Sequence, residues 1–225
     1  MNETEKLETI ARYNERLERF GYDPRALGWA KLQHLLRYDV LLSYWKLTDE
    51  SVLDFGCGFG DMFGYCRKIG LDKVGYHGIE LNSRLVEEGR RRYPEADFIV
   101  RDVLAQGMPG TYDVVLSSGV FNFRLADNWG FIEDMFRLFH ESSRRGFAAN
   151  FITDRVDYRE PNLFYADPCR VLDLAYRYSR RVVLRQDYMP FEFTIFVDKK
   201  DDFISEYSVF PDYLAFIPGA AEEES

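Results

Sequence analysis

The stretch VLDFGCGFGD, residues 52 to 61, decides how this chain is read. Val52 to Phe55 form an apolar, β-prone run interrupted by one acid, Asp54, and glycine then recurs at Gly56, Gly58 and Gly60 before Asp61 opens a helix-like segment. Glycine places no Cβ between the chain and a ligand. A turn built this way brings main-chain N–H groups and a helix N-terminus against a bound molecule.

Outward from that turn, the runs SVLDF, KVGYHGIE, ADFIV, YDVVLSS and GFAANFIT are short and β-rich, with helix-length mixtures between most of them. Strand alternating with helix predicts a parallel sheet. Residues 128 to 143 and 167 to 179 read as crossover helices. RRVVLRQDY and EFTIFVDKK are separated only by a few residues around Pro190, too short for a parallel crossover, so they are expected to pair as an antiparallel hairpin. Toward the N-terminus, residues 3 to 20 place Leu7, Ile10, Leu17 and Phe20 on one side of a helix that stops at Gly21, and a second helix is expected from Arg25 to Tyr44. The stretch after Asp201 mixes aromatics with Pro211 and Pro218 and ends in EEES, a frayed tail; it receives no element.

The 225 residues are 46% hydrophobic and 16% aromatic, ample for one core, so a single domain over 1–225 is expected, with 1–47 as a helical cap, 51–200 as the core and 201–225 unassigned. Acids outnumber bases 38 to 29, a net charge of -9, and such a surface repels polyphosphate; no nucleic-acid partner is expected. Cys57, Cys66 and Cys169 are odd in number and lack zinc spacing, which fits reduced thiols in the cytoplasm. The charged N-terminus lacks the apolar stretch of a signal peptide, and no later run approaches the roughly eighteen apolar residues of a membrane helix, so no membrane partner is expected. The sequence does not fix an oligomeric state.

The glycine segment resembles motif I of the class I S-adenosylmethionine-dependent methyltransferases, which reads [VIL][LV][DE]xGxGxG. The resemblance covers roughly residues 51 to 153. It implies an α/β, Rossmann-like, mostly parallel sheet with a C-terminal antiparallel hairpin, helices on both faces and an N-terminal helical extension. It also implies S-adenosylmethionine as cofactor, bound by Asp54, Gly56, Cys57, Gly58 and Gly60. The family ends its second strand in an acid that holds the ribose hydroxyls, and GIELN puts Glu80 there with Leu81 beside it; a carboxylate suits vicinal hydroxyls because it accepts two hydrogen bonds. An Asp after the third strand contacts the adenine amino group in the family, and Asp102 occupies that place, with Val103 as a neighbouring backbone donor; a plain turn or cap is the bland alternative. YDVVLSSGVFNF resembles motif IV, making Ser117, Ser118, Gly119, Phe121 and Asn122 candidates at the chemical edge, although Phe121 reads equally as core. The strings GYDPRALGW, SGVFN and NFIT look like those of a group of small bacterial methyltransferases.

On the acceptor side, the nucleic-acid [DNS]PP[YF] motif, the acidic loop of arginine methyltransferases and the metal-binding acids of catechol-type enzymes are not recognisable, so a small metabolite methylated on O or N is expected, without a metal. Tyr13, Tyr22 and Trp29, and Tyr158, Asn162, Phe164 and Tyr165 after the fifth strand, are candidates for a pocket wall or for ordinary packing. His34, His77 and His140 fall within a helix, a strand and a helix end, where structural roles are expected; Tyr13, Asp154 and Asp157 are the candidate bases, and Asn122 and Asn150 candidate hydrogen-bond partners. Two other readings use the same residues. A nicotinamide-dependent oxidoreductase would share the strand, turn and acid, but dinucleotide turns read GxGxxG where this one reads GxGxG. A non-catalytic cofactor-binding module would explain the lack of an obvious base.

Overall fold

The computed structural model describes residues 1–29 and 33–200. The reading of residues 201–225 therefore lies outside the described residues. Helix α1 (Glu3–Phe20) opens on a capping box: Asn2 Oδ1 accepts from the Glu5 amide at 2.9 Å and Glu5 Oε2 accepts from the Asn2 amide at 2.7 Å. It buries none of its residues fully. Tyr13, Leu17 and Phe20 are half-buried against Ala26, Phe59 and Leu85, whereas Leu7 is 58% exposed and does not belong to the packing face expected of it. The second helix is also shorter than the sequence reads. A 3₁₀ turn, Pro24–Leu27, ends at Gly28, whose left-handed backbone turns the chain before α2 (Gln33–Leu42) begins.

The core alternates β1 (Ser51–Phe55), α3 (Asp61–Lys68), β2 (Gly75–Glu80), α4 (Ser83–Arg92), β3 (Asp97–Val100), α5 (Val103–Gln106), β4 (Tyr112–Ser117), α6 (Asn128–Glu141), β5 (Ser143–Ile152), α7 (Pro168–Ala175), β6 (Arg181–Arg185) and β7 (Glu192–Asp198). The sheet order is β3-β2-β1-β4-β5-β7-β6; β1 to β5 run parallel, and β7 pairs antiparallel with both β5 and β6. The expected hairpin is therefore present, with its second strand inserted beside β5.

Period-two alternation assigns the two faces. Leu53, Phe55, Val115, Phe147, Phe151, Ile195 and Val197 face α6 and α7, while Val52, Val114, Leu116, Ala148 and Phe196 face α2 and α3. Burial on both faces explains why the strands read as nearly continuous apolar runs. Phe121 is core: its ring stacks on Phe151 with centroids 4.8 Å apart, and Phe151 stacks in turn on Phe193 at 5.3 Å. Truncating Phe151 to Ala removes about 3–5 kcal/mol of stability on the usual large-to-small scale. Strand order reverses between β1 and β4, and at that switch point the carboxyl ends of the strands open into a cleft.

Candidate active site

The cleft encloses about 1130 Å³ continuous with solvent. Its floor is Asp54, Phe55, Gly56, Cys57 and Gly58 from the end of β1 and its turn, Glu80 and Leu81 from the end of β2, Asp102 and Val103 after β3, and Ser118 and Gly119 after β4. Its roof is Met1, Thr9 and Tyr13 of the N-terminal segment with Leu27 and Trp29. The structure thus brings Asp54, Gly56, Cys57, Gly58, Glu80, Leu81, Asp102, Val103, Ser118, Tyr13 and Trp29 around one space, although they are spread over more than a hundred residues of sequence.

The remaining candidates lie elsewhere. Gly60 caps α3 away from the cleft, and a Cβ there would stand 2.4 Å from the Phe98 ring; its requirement for glycine comes from packing of helix on sheet. Ser117 is fully buried beneath the floor with an unpartnered Oγ, and Asn122 sits behind Gly119 with an unpartnered Oδ1. Asp154 does not line the cleft; its carboxylate lies 3.4 Å from Arg155. Asp157, Tyr158 and Asn162 are exposed, and Tyr22 donates to Asp61 in a separate groove. None of the three histidines lines the cleft: His34 packs edge-on to Tyr38, His77 bonds Asp97 at 2.7 Å, and His140 lies against Tyr178.

The floor is held by main-chain geometry. Glu80 Oε1 accepts from the amides of Leu81 at 2.8 Å and Asn82 at 2.9 Å, and Oε2 accepts from Gly58 at 3.0 Å, tying the ends of β1 and β2 together. Burial still pushes its carboxyl above the ordinary glutamate value, against the pull of those three donors. Asp54, 2% exposed, is pushed up to about 7 by burial, opposed by the Tyr76 hydroxyl that donates to it at 2.8 Å and reinforced by the Glu80 charge. Asp102 caps α5 by accepting from Leu104 and Ala105, and Lys6 of α1 reaches it at 2.9 Å; those donors hold its carboxyl below the usual range although burial opposes them. Burial, reinforced by the Glu80 charge, pushes the Tyr13 phenol up to about 12.

Lys6, Asn82, Leu27 and Phe123 were not legible in the sequence as parts of this site. Asn82 caps α4 through its Oδ1, and its Nδ2 grips α1 through Asn14 at 3.0 Å and the Ile10 carbonyl at 3.3 Å. An Asn beginning a helix signals a cap; nothing local signals its partner some seventy residues upstream.

Strand order, the cleft at the β1–β4 switch and an acid at the end of β2 define the Rossmann-like architecture of class I methyltransferases. Residues 52–142 match a family model described as a methyltransferase domain. A protein of Mycobacterium tuberculosis, provisionally named a methyltransferase, is 36% identical over 159 residues, 66% of this chain and 93% of that protein. Among solved structures, DhpI in complex with S-adenosylhomocysteine shares the fold with a TM-score of 0.62 at 10% identity, over 85% of this chain and 95% of that one. A TehB-like S-adenosylmethionine-dependent methyltransferase of Corynebacterium glutamicum does so at 0.54 and 21% identity, over 88% and 98%. The chain belongs to the class I S-adenosylmethionine-dependent methyltransferases, and the oxidoreductase reading is set aside.

Proposed function

We propose that this enzyme methylates an oxygen or nitrogen of a small-molecule metabolite, with S-adenosylmethionine lying along the cleft floor. The donor supplies an electrophilic methyl group on a sulfonium. The residues present fit it: Glu80 faces the cleft with its carboxylate already oriented by three amides and keeps further acceptor capacity for vicinal hydroxyls. Asp102 and Val103 border the place an adenine takes in the family, and Asp54, Gly56, Cys57, Gly58 and Leu81 complete the floor. The buried, unpartnered Ser118 Oγ at the cleft wall is a polar group left for a ligand to satisfy. Ser117 and Asn122 support that wall from behind.

The single observation that carries the small-molecule reading is the roof. Met1, Thr9, Tyr13, Leu27 and Trp29 cover the floor, leaving a lined chamber, whereas a polymer needs an open face. The acidic net charge of -9 points the same way. Transfer then depends mainly on holding an electron-rich atom in line with the methyl group. An amine needs no strong base. The test is incubation with radiolabelled S-adenosylmethionine and a fractionated cell extract. Label is expected in the low-molecular-mass fraction; label confined to protein or nucleic acid would overturn the reading.

A further inference from the structure

We propose that the acceptor is an uncharged, planar aromatic molecule, held against Trp29 and Phe123 with its hydroxyl or amino group on Ser118. The inference rests on the small-molecule reading above and deepens it.

The donor residues take up the ends of β1 and β2 and the turn after β3, so the wall that follows β4 is left for the acceptor. Ser118, Gly119, Val120 and Phe123 form that wall, and all four line the cleft. Val120 fills the space that a Cβ on Gly56 would need, so the wall adjoins the glycine turn. Trp29 reaches the same wall from the roof. Its Cη2 lies 2.5 Å from the Cβ position of Gly119, where the indole and a left-handed backbone at φ +78 together require glycine. Tyr13, also in the lining, stands edge-on to Phe123 with centroids 5.9 Å apart. The acceptor end is therefore walled by rings.

Charge disfavours an ionic acceptor of either sign. Among the described residues, four charged side chains line the cleft: Asp54, Glu80, Asp102 and Arg101. Only Arg101 is basic, and its donors are committed. Nε donates to the Gly107 carbonyl at 2.7 Å and Nη2 to the Gln106 carbonyl at 2.6 Å, which turns the guanidinium onto the C-terminal end of α5, at the donor end beside Asp102. An anionic acceptor thus meets three carboxyl groups and no cation set aside for it. A cationic acceptor would look to the ring faces, and these already carry cations. Cζ of Arg37 lies over Trp29, 4.1 Å from the ring centroid, and Cζ of Arg12 lies over Phe123 at 4.2 Å. Neither arginine lines the cleft, so each approaches its ring from outside it, and a second cation would face the first across the ring.

A neutral π-system suits what remains. A guanidinium on one face draws π density toward itself and leaves the rest of the ring poorer, so Trp29 and Phe123 favour an electron-rich ring, stacked or edge-on. Aromatics bearing a hydroxyl or an amino group are electron-rich, and they carry the oxygen or nitrogen that takes a methyl group. Ser118 supplies the polar contact. Among the described residues lining the cleft, its Oγ is the one buried side-chain polar atom without a hydrogen-bond partner. It can accept from the O–H or N–H of the ring substituent, which holds the reactive atom at the wall beside the glycine turn. A saturated ring of the same size fills the space and lacks the π faces.

The experiment is calorimetric titration of the full chain, saturated with S-adenosylhomocysteine, with phenol, toluene, cyclohexanol, benzoate and benzylammonium, on wild type, Trp29→Leu, Phe123→Leu and Ser118→Ala. Wild type is expected to bind phenol about fivefold or more tighter than cyclohexanol, benzoate or benzylammonium. Trp29→Leu and Phe123→Leu each cut the preference for phenol over cyclohexanol by about half or more, and Ser118→Ala weakens phenol by about threefold while leaving toluene unchanged. Affinity for S-adenosylhomocysteine stays within about threefold throughout, and a cooperative melt followed by circular dichroism shows that each variant is folded. Benzoate or benzylammonium binding as tightly as phenol overturns the uncharged class, and cyclohexanol binding as tightly overturns the aromatic one. A preference unchanged in both ring variants overturns the assignment to Trp29 and Phe123. A tenfold loss of S-adenosylhomocysteine affinity in folded Trp29→Leu and Phe123→Leu overturns it too, by giving the rings to the donor. No binding of any probe at millimolar concentration by the S-adenosylhomocysteine-saturated wild type has the same consequence. Failure of wild type to bind S-adenosylhomocysteine at all sinks the donor reading instead, and label confined to polymer in the extract experiment sinks the small-molecule reading.

Discussion

The floor and the roof of the cleft are built in different ways. The floor is an edge of the sheet: Asp54 pairs in register with Gly78 and Leu116, Glu80 with Val100, and three backbone amides fix the Glu80 carboxylate. The α1 part of the roof buries no residue fully and is fastened by long polar side chains, Lys6 to Asp102, Asn82 to Asn14, and Glu5 Oε1 to the Ala126 amide at 2.6 Å. The floor is therefore fixed by the sheet itself, while the α1 part of the roof hangs on a few polar ties. Helix α2 breaks the symmetry of the roof, because His34, Arg37, Tyr38, Val40, Leu41 and Leu42 are buried.

The comparison breaks most sharply at Arg37. This side chain, 4% exposed, donates from Nε to Glu192 at 2.6 Å, and Glu192 also lies 3.4 Å from Asn150, whose Oδ1 accepts from the Gly119 amide at 2.7 Å. Arg37→Ala strands a buried carboxylate and is expected to remove about 3–5 kcal/mol in chemical denaturation, whereas Arg37→Met combined with Glu192→Leu is expected to be close to neutral. A single-variant loss below about 1 kcal/mol would show that α2 is fastened as loosely as α1. Next in size, Glu80→Ala is expected to weaken S-adenosylhomocysteine binding by about 1–3 kcal/mol in calorimetry.

A pH titration sharpens the contrast at the floor. Asp54 has a folded value near 7, above its ordinary value of 3.8, so its contribution to stability is fully present below about 4 and is lost as pH rises through 7. Denaturation midpoints are expected to fall over that window in wild type and to lose this component in Asp54→Asn. Affinity for the cationic donor is expected to move oppositely, rising several-fold between pH 6 and 8 as the carboxylate ionises, and the rise disappears in Asp54→Asn. The smallest effect belongs to Lys6→Met. Its pair with Asp102 is about one-fifth exposed on each side, so global stability is expected to change by less than about 1 kcal/mol, while amide exchange in α1 accelerates.

The same contrast explains what the sequence revealed. The floor was legible because Asp54 and Glu80 lie at the ends of strands, and the glycine turn and Asp102 just beyond them, where the apolar pattern locates each end. The packing requirement at Gly60 was hidden, because Phe98, the ring that fills its space, lies on another strand. The roof was poorly legible because half-buried residues leave weak periodicity: Leu7 fits the helical stripe and faces solvent, and the Gly28 turn interrupts a stretch that reads as continuous helix. Lys6, Arg12 and Arg16 look like ordinary surface charges until the fold brings Asp102 and Phe123 beneath them.

The pair between Arg37 and Glu192 joins positions 155 residues apart, and Glu192 opens the strand that must slide between β5 and β6. During synthesis the glycine turn, Glu80 and Asp102 emerge early and assemble through nearby contacts, whereas the wall around Gly119 and Asn150 waits for almost the whole described chain. A nascent chain halted before Glu192 therefore holds every residue of the floor and still lacks the strand against which Asn150 and the Gly119 wall are set.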